Sequence, residues 1–389
     1  MVERFDVFDH EIAQQTYEVT GWARGHCPVA HSSAHGGYWL VTGYAEVRQA
    51  LGDPSTFSSQ YGVGFPHKQS LMMPPIDMDP PLQKEFRRLL NRHLTRAGIS
   101  KYAAAIQTIA DEVVGALADR GQADMLAEFA APFSARVLSN VILNLEEGDP
   151  LFTRGREVTA QIAKNDPSQE GDIRGQLEVV VEEILERRAA SGERQDDIID
   201  ALLYGQVEGR PLTRNERVGT MMVLMMGGLS TTSAALTNIL RHACEVPGLE
   251  ERLRTEDWSR QELDEFLRFE APVGSLSRTV MKDVELGSQQ LSAGDVVLLH
   301  FASANRDDSV FPDAGVLDLS RQDNPHLAFG LGDHRCIGSN LARMQIEVAM
   351  PTLLSQIENI SLDDVVLERE TGPGHGWTSM PVRYSRRSS

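Results

Sequence analysis

At 389 residues, 41% hydrophobic and 24% charged, the chain is long enough to bury a large core and has an ordinary globular composition. A net charge of −19 argues against sequence-independent binding to nucleic acid or to an anionic membrane, because both depend on basic surface. Three cysteines, Cys27, Cys244 and Cys336, are too few and too scattered for a disulfide framework.

The start, Met1 to Asp6, is polar and lacks a basic segment followed by an apolar stretch, so neither a signal peptide nor an anchor helix is expected. No uninterrupted apolar run approaches the roughly 18 residues of a membrane span, and a reducing cytoplasmic location is expected. Tyr38 to Val41 reads as a short strand. From about Asp79 onward helix dominates: Ile109 to Leu117, Leu177 to Arg188 and Val218 to Ala243 repeat apolar residues every three or four positions. Further strands are expected at Val284 to Leu286, at Val296 to Leu299, and as a C-terminal pair around Val365 and Pro381-Val382. The tail Ser385 to Ser389 has nothing to bury and is expected to fray. No linker, repeat or low-complexity run divides the chain, so residues 1–389 are read as one domain, mainly α with small β-sheets (α+β).

Several constellations carry chemistry. Met225-Met226-Gly227-Gly228-Leu229-Ser230-Thr231-Thr232 lies inside the longest helical pattern. Each glycine there costs about 1 kcal/mol against alanine, so the pair needs a reason: a kink, close helix packing, or thinning of the helix where a flat ligand approaches. Glu265 and Arg268 stand at i and i+3 on one helix face, a pairing that on a solvated surface contributes only a few tenths of a kcal/mol. Phe329-Gly330-Leu331-Gly332-Asp333-His334-Arg335-Cys336-Ile337-Gly338 presents a cysteine on a glycine-rich turn at a helix start. A helix N-terminus and a neighbouring cation both favour a thiolate. Gly330, Gly332 and Gly338 permit positive φ and a close backbone approach to a macrocycle.

This last segment resembles the cysteine-ligand loop of the cytochrome P450 family and fills its pattern at every position. The resemblance extends over nearly the whole chain, and it implies the P450 fold, with haem between the long central helix and the helix that follows the cysteine. Cys336 is then the proximal iron ligand and the metal-binding residue, and His334 bonds a haem propionate. Phe329, Gly330 and Gly338 complete the cofactor-binding loop. Glu265 and Arg268 correspond to the E-x-x-R motif, a buried structural network with a second arginine, here Arg321. Asp79-Pro80-Pro81 resembles the family's start of a helix in which Arg87 is the first propionate partner and Gln83 replaces a common His. Arg278 is the second propionate candidate. Gly227, Gly228 and Thr231 resemble the oxygen-activation motif, with a locally opened helix and the Thr231 hydroxyl supporting a water chain. There the sequence departs from the pattern, because Ser230 stands where an acid usually precedes the threonine. A serine relays protons but does not titrate near neutrality.

By family position the substrate pocket draws on the loop from Gly62 to Ile76, including Met72 and Met73, on Val223, Met226 and Gly227, on Gly274, Ser275 and Leu276, and on the Trp377 region. Lys84, Arg88, Arg92, Arg96 and Arg343 fall on segments of the proximal side and form a possible docking patch for an acidic ferredoxin or flavodoxin. The implied activity is a haem b (iron protoporphyrin IX) monooxygenase. It would activate dioxygen with electrons from such a partner and its reductase, and oxidise a small to medium apolar organic substrate, as in secondary metabolism. A monomer is expected, with no membrane or nucleic-acid partner. Ser230 keeps open a peroxide-using or oxidative-coupling enzyme, and a non-catalytic haem sensor is a further alternative.

Overall fold

The computed structural model describes residues 2–66, 71–164, 170–255, 258–363 and 365–387. Residues 67–70 of the expected substrate loop, and Ser388 and Ser389 of the expected tail, lie outside them.

The periodic apolar segments all become helices, each longer than its pattern. They span Ala103–Gly115, Glu170–Ser191 and the central helix Arg214–Glu245. The central helix begins where Thr213 accepts a hydrogen bond from the Glu216 N–H at 3.2 Å and Glu216 accepts one from the Thr213 N–H at 2.7 Å. This reciprocal cap satisfies two donors that have no partner within the helix. Among the described residues this helix alone is long and apolar enough to cross a membrane. Its buried side chains, including Met221, Met222, Leu236, Ile239 and Leu240, instead form the centre of the main core. Opposite lies the cysteine helix, Ser339–Gln356, which contributes Ile346, Met350, Leu353 and Leu354 to the same core.

The strands are short and lie at the margins. A five-stranded sheet runs in the order Val29–Ser32, Tyr38–Val41, Val296–His300, Ser275–Val280, Phe57–Ser58. A second sheet joins Ile357–Leu362, Pro381–Arg386 and Gln122–Asp124. The expected C-terminal pairing is therefore corrected. Ile357–Leu362 is the partner of Pro381–Arg386, while Val365 is half-exposed in a bend. Ser385 and Arg386 are also not frayed, since they pair with Glu358 and Ile357. Alternating burial of Val382 and Tyr384 holds this last strand down.

The Glu265–Arg268 pair is fully buried. Arg268 binds both Glu265 oxygens at 2.7 Å and donates to the carbonyls of Asn305, Ala314 and Val316 at 2.7, 2.9 and 3.0 Å. Glu265 in turn accepts from Arg321, Asn324 and the Asp318 N–H. Glu265 and Arg268 each have several partners, the condition under which buried ions are tolerated. The network anchors the irregular stretch that leads into the cysteine loop.

Candidate functional site

The cysteine loop is held by its own backbone. Cys336 N–H donates to the Phe329 carbonyl at 2.7 Å, Arg335 N–H to Gly332 at 3.1 Å and Gly330 N–H to Leu327 at 2.8 Å. Gly330 and Gly332 both take φ of 65°, a region side chains avoid. At Gly332 a Cβ would also lie 3.1 Å from the Leu51 carbonyl oxygen. Gly338 differs from expectation, with φ −83° as the N-cap of the cysteine helix. Its N–H lies against the Cys336 sulfur, and a Cβ there would sit 3.9 Å from Sγ. The Phe329 ring packs under the Arg343 guanidinium at 4.5 Å.

Cys336 is exposed as a residue, yet the protein packed around its sulfur pushes the thiol pKa up. The Gly338 N–H and Arg87, Arg335 and Arg343 oppose this without overcoming it. The helix terminus and cations therefore lower the cost of a thiolate but do not by themselves secure one. A metal ion does, because coordination deprotonates a thiol outright.

The propionate candidates separate on inspection. Arg278 is buried, and among the described residues its side chain makes one hydrogen bond, to the Ser277 carbonyl at 2.7 Å. Burial lowers its pKa to about 10 against the pull of Asp79 and Asp77. His334 lies 3.4 Å from the Ser59 hydroxyl and 3.7 Å from Asp79. Burial, with Arg278 next, lowers its pKa to about 4, so it is neutral and still able to donate one N–H. Arg87, from the helix Leu82–Leu94, donates to the Arg335 carbonyl at 2.8 Å beside the sulfur. Gln83 is fully buried and donates to the Asp333 carbonyl at 2.6 Å, leaving Oε1 as an unpaired acceptor. Gln83 thus braces the cysteine loop with one N–H, and the second N–H of its amide is the group by which it could still donate to a propionate. A guanidinium with donors to spare, a neutral imidazole and a second arginine suit a flat group bearing two carboxylates. Together with the accessible thiol, these residues fit haem.

On the central helix Gly227 is exposed, and a Cβ there meets nothing within 4 Å. A Cβ on Gly228 would lie 3.3 Å from the Leu138 methyls. The first glycine keeps space open and the second lets helices pack closely. The helix is continuous through this region, which corrects the expected local opening. The Thr231 hydroxyl instead donates to the Gly227 carbonyl at 2.6 Å, and Ser230, exposed, reaches the Met226 carbonyl at 3.5 Å.

The expected pocket residues fall into two groups. Val223 and Met226 are half-buried beside the main core and Leu276 beside the smaller core of the five-stranded sheet, where it shares a strand face with Arg278 by period-two alternation. Ser275, 1% exposed, points to the opposite face and is corrected as a lining residue. Met73 is buried with its sulfur 3.7 Å from Arg174, whereas Met72 is exposed. Trp377 is also corrected: its buried ring lies 3.9 Å from the Arg369 and 5.1 Å from the Arg241 guanidinium. These arginines belong to a polar cluster around Glu270 that also holds His242. Asp77 went unnoticed in the sequence. It is buried and accepts the N–H groups of Val63 and Met73 at 3.2 Å, fixing both ends of the described loop near Arg278.

Four of the five cations of the proximal basic patch are paired, while Arg96 is exposed and makes no ion pair among the described residues. Lys84 pairs with Asp333 at 3.1 Å, Arg88 with Glu85 at 2.6 Å and Arg92 with Asp196 at 3.0 Å. Arg343 is buried against Asp264 at 2.6 Å.

Comparison with known proteins agrees with this geometry. The family model described as Cytochrome P450 matches residues 168–258 and 259–382. Cyclomarin C epoxidase CymV of Salinispora arenicola is 30% identical over 90% of this chain and 91% of its own length. The steroid C26-monooxygenase of Mycobacterium tuberculosis is 30% identical over 94% of this chain and 92% of its own. The solved structure of cytochrome P450 CYP109Q5 from Chondromyces apiculatus superposes with a TM-score of 0.88 at 26% identity, covering 100% of both chains. A cysteine loop, a buried E-x-x-R network and a glycine-threonine central helix in one helix-rich fold thus have their explanation: the chain belongs to the cytochrome P450 family, as a haem-thiolate monooxygenase.

Proposed function

We propose that residues 1–389 form one haem b domain, a cytoplasmic monomer. In this reading it uses dioxygen and electrons from a separate ferredoxin or flavodoxin system to oxidise a small to medium apolar organic molecule. The observation that carries the reading is the Cys336 loop, with an accessible thiol backed by the Gly338 N–H and a buried, donor-rich Arg278 nearby.

When bound, haem supplies the redox chemistry. Cys336 ligates the iron. The Gly338 N–H moderates sulfur donation, and Arg87, Arg278 and His334 hold the propionates. Val223, Met226 and Leu276 offer an apolar wall that orients substrate by shape and excludes water. Thr231 donates its hydroxyl proton to the Gly227 carbonyl, which fixes the oxygen in place as an acceptor that orders water on this side of the helix. Ser230 relays protons from exposed water without itself titrating. The names of the relatives, a cyclomarin epoxidase and a steroid monooxygenase, support a bulky apolar substrate.

The test joins two measurements. The dithionite-reduced protein under carbon monoxide should show the far-red Soret band of thiolate ligation, and Cys336→Ser should lose it. Product formation with a ferredoxin system and dioxygen should exceed that with peroxide. The reverse order, motivated by Ser230, would replace this reading with a peroxide-using enzyme, and tight ligand binding without any product would indicate a sensor.

A further inference from the structure

We propose that two residues of the N-terminal helices, Gln14 and Tyr17, are positioning residues for the substrate pocket: they set where the hairpin 369–377 closes on it. The proposal rests on the pocket assignment above and names what holds one side of that pocket in place.

The hairpin lies between the two walls already described. Arg369 pairs with Trp377 across its base. On one side Val273 bridges Gly374, the Gly274 N–H donates to the Pro373 carbonyl at 2.8 Å and the His375 N–H to the Pro272 carbonyl at 2.9 Å, directly ahead of Leu276. On the other side a Cβ at Gly376 would lie 3.1 Å from the Ala234 Cβ, on the central helix about one turn past Thr231. The tip has little means of fixing its own shape. Gly372, Gly374 and Gly376 alternate along it, and glycine restricts the backbone less than any other residue. Its position must therefore be set from outside.

The N-terminal elements supply much of that hold. Gln14, in the helix His10–Gln14, grips the backbone of Arg369 with both ends of its amide: Nε2 donates to the carbonyl at 3.2 Å and Oε1 accepts the N–H at 2.9 Å. Two residues from the start of that helix, the Phe8 ring packs where a Cβ on Gly372 would come within 3.1 Å, and the Gly372 N–H donates to the Val7 carbonyl at 2.7 Å. The Tyr17 hydroxyl, from the helix Thr16–His26, lies 3.0 Å from Glu270 Oε2 and 3.2 Å from His375 Nδ1. The Tyr17 and His375 rings meet edge to face, with centroids 4.9 Å apart. Arg369 Nη2 donates to the same Glu270 oxygen at 2.9 Å. Tyr17 thus reaches both arms of the hairpin, His375 directly and Arg369 through Glu270. Neither Gln14 nor Tyr17 belongs to the elements that carry Cys336, Arg87 or Arg278, so they can shift the pocket wall without disturbing the haem ligands.

The experiment uses the haem-loaded full chain and two iron-binding probes read by their spectral shifts. Imidazole is small enough to reach the iron without the walls, whereas clotrimazole is an imidazole whose bulky aryl groups press on them. Gln14→Ala, at an exposed position, and Tyr17→Phe are compared with wild type, with the wall variant Leu276→Ala, and with Tyr384→Phe. This last change removes a hydroxyl that bonds the Leu117 carbonyl at 2.6 Å and no residue of the hairpin. Gln14→Ala and Tyr17→Phe are expected to weaken clotrimazole about fivefold, the scale of one lost neutral hydrogen bond, to leave imidazole unchanged, and to quicken amide exchange in 369–377. Tyr384→Phe should lower the unfolding temperature and leave clotrimazole affinity unchanged. Unaltered clotrimazole affinity in both Gln14→Ala and Tyr17→Phe, with a loss in Leu276→Ala, overturns the proposal and leaves the pocket assignment standing. An equal loss in Tyr384→Phe also overturns it, by reducing the effect to lost stability. Unaltered affinity in all the variants, Leu276→Ala included, overturns the pocket assignment together with the proposal that rests on it.

Discussion

Gly227 and Gly228 are neighbours in sequence with opposite surroundings, and alanine should separate them. Gly227→Ala adds a methyl to open space and should raise stability by up to about 1 kcal/mol through helix propensity. It should lower product formation by narrowing the oxygen side. Gly228→Ala presses on Leu138 at 3.3 Å, so calorimetry should show no gain or a small loss. His300 gives a prediction of a different kind. Its Nδ1 accepts the Ser303 N–H at 3.1 Å, and burial, reinforced by Arg24, lowers its pKa from 6.5 to about 4. The unfolded chain therefore binds the proton first, and stability falls as pH drops from about 6.5 toward about 4. The loss is on the order of 3 kcal/mol at roughly 1.4 kcal/mol per pKa unit. Denaturation of His300→Gln across this window should show a shallower acid limb than wild type.

At the scale of elements, the Glu265–Arg268 pair is the clearest case of spacing that gains meaning only from burial. On a surface, lysine would replace arginine at little cost. Here Arg268 serves one carboxylate and three carbonyls at once, which one ammonium cannot reproduce. Arg268→Lys should cost about 3–5 kcal/mol, the range for breaking a buried pair, and reduce haem incorporation, as followed by urea unfolding and Soret absorbance. Helices were legible because their apolar periods are long: Val218 to Ala243 falls inside the observed helix, and Ile109 to Leu117 overruns the end of its helix at Gly115 by only two residues. Short strands were less so. Val365 and Pro381-Val382 look alike locally, but only the second has a facing strand, Ile357–Leu362, to bond.

Across the whole molecule, the proposed cofactor site draws on residues near positions 87, 231, 278 and 336. The cysteine loop and the glycine-threonine segment of the central helix stood out in the sequence because glycines and hydroxyls at fixed offsets leave a pattern. The misreadings at Ser275 and Trp377, and the unforeseen bracing role of Gln83, share a cause: which way a side chain faces depends on its neighbours in space. Gln83 turns to Asp333, Trp377 to Arg369 and Arg241, and Asp77 carried no local signature at all. The ion pairs within the proximal patch were hidden for the same reason, because Asp333 and Asp196 are distant in sequence from the cations they meet. Because a ligand that binds only the folded chain stabilises it, haem loading should raise the unfolding temperature. Hydrogen exchange should slow most in 82–94 and 329–338. If the Cys336→Ser protein gained as much thermal stability from haem as wild type does, the thiolate would have no part in that linkage.

The grip of Arg268 on the chain has an evolutionary corollary. Its meander acceptors are the carbonyls of Asn305, Ala314 and Val316, and a carbonyl is common to every amino acid. The side chains at 314 and 316 are therefore released from this particular duty. Val316, 57% exposed, has wide latitude to mutate, while Ala314, fully buried, is limited only by volume. A fixed interior cation that reads only main chain lets the meander drift in sequence while keeping its path, so the surface beside the ligand loop can be remodelled without redesigning the anchor beneath it.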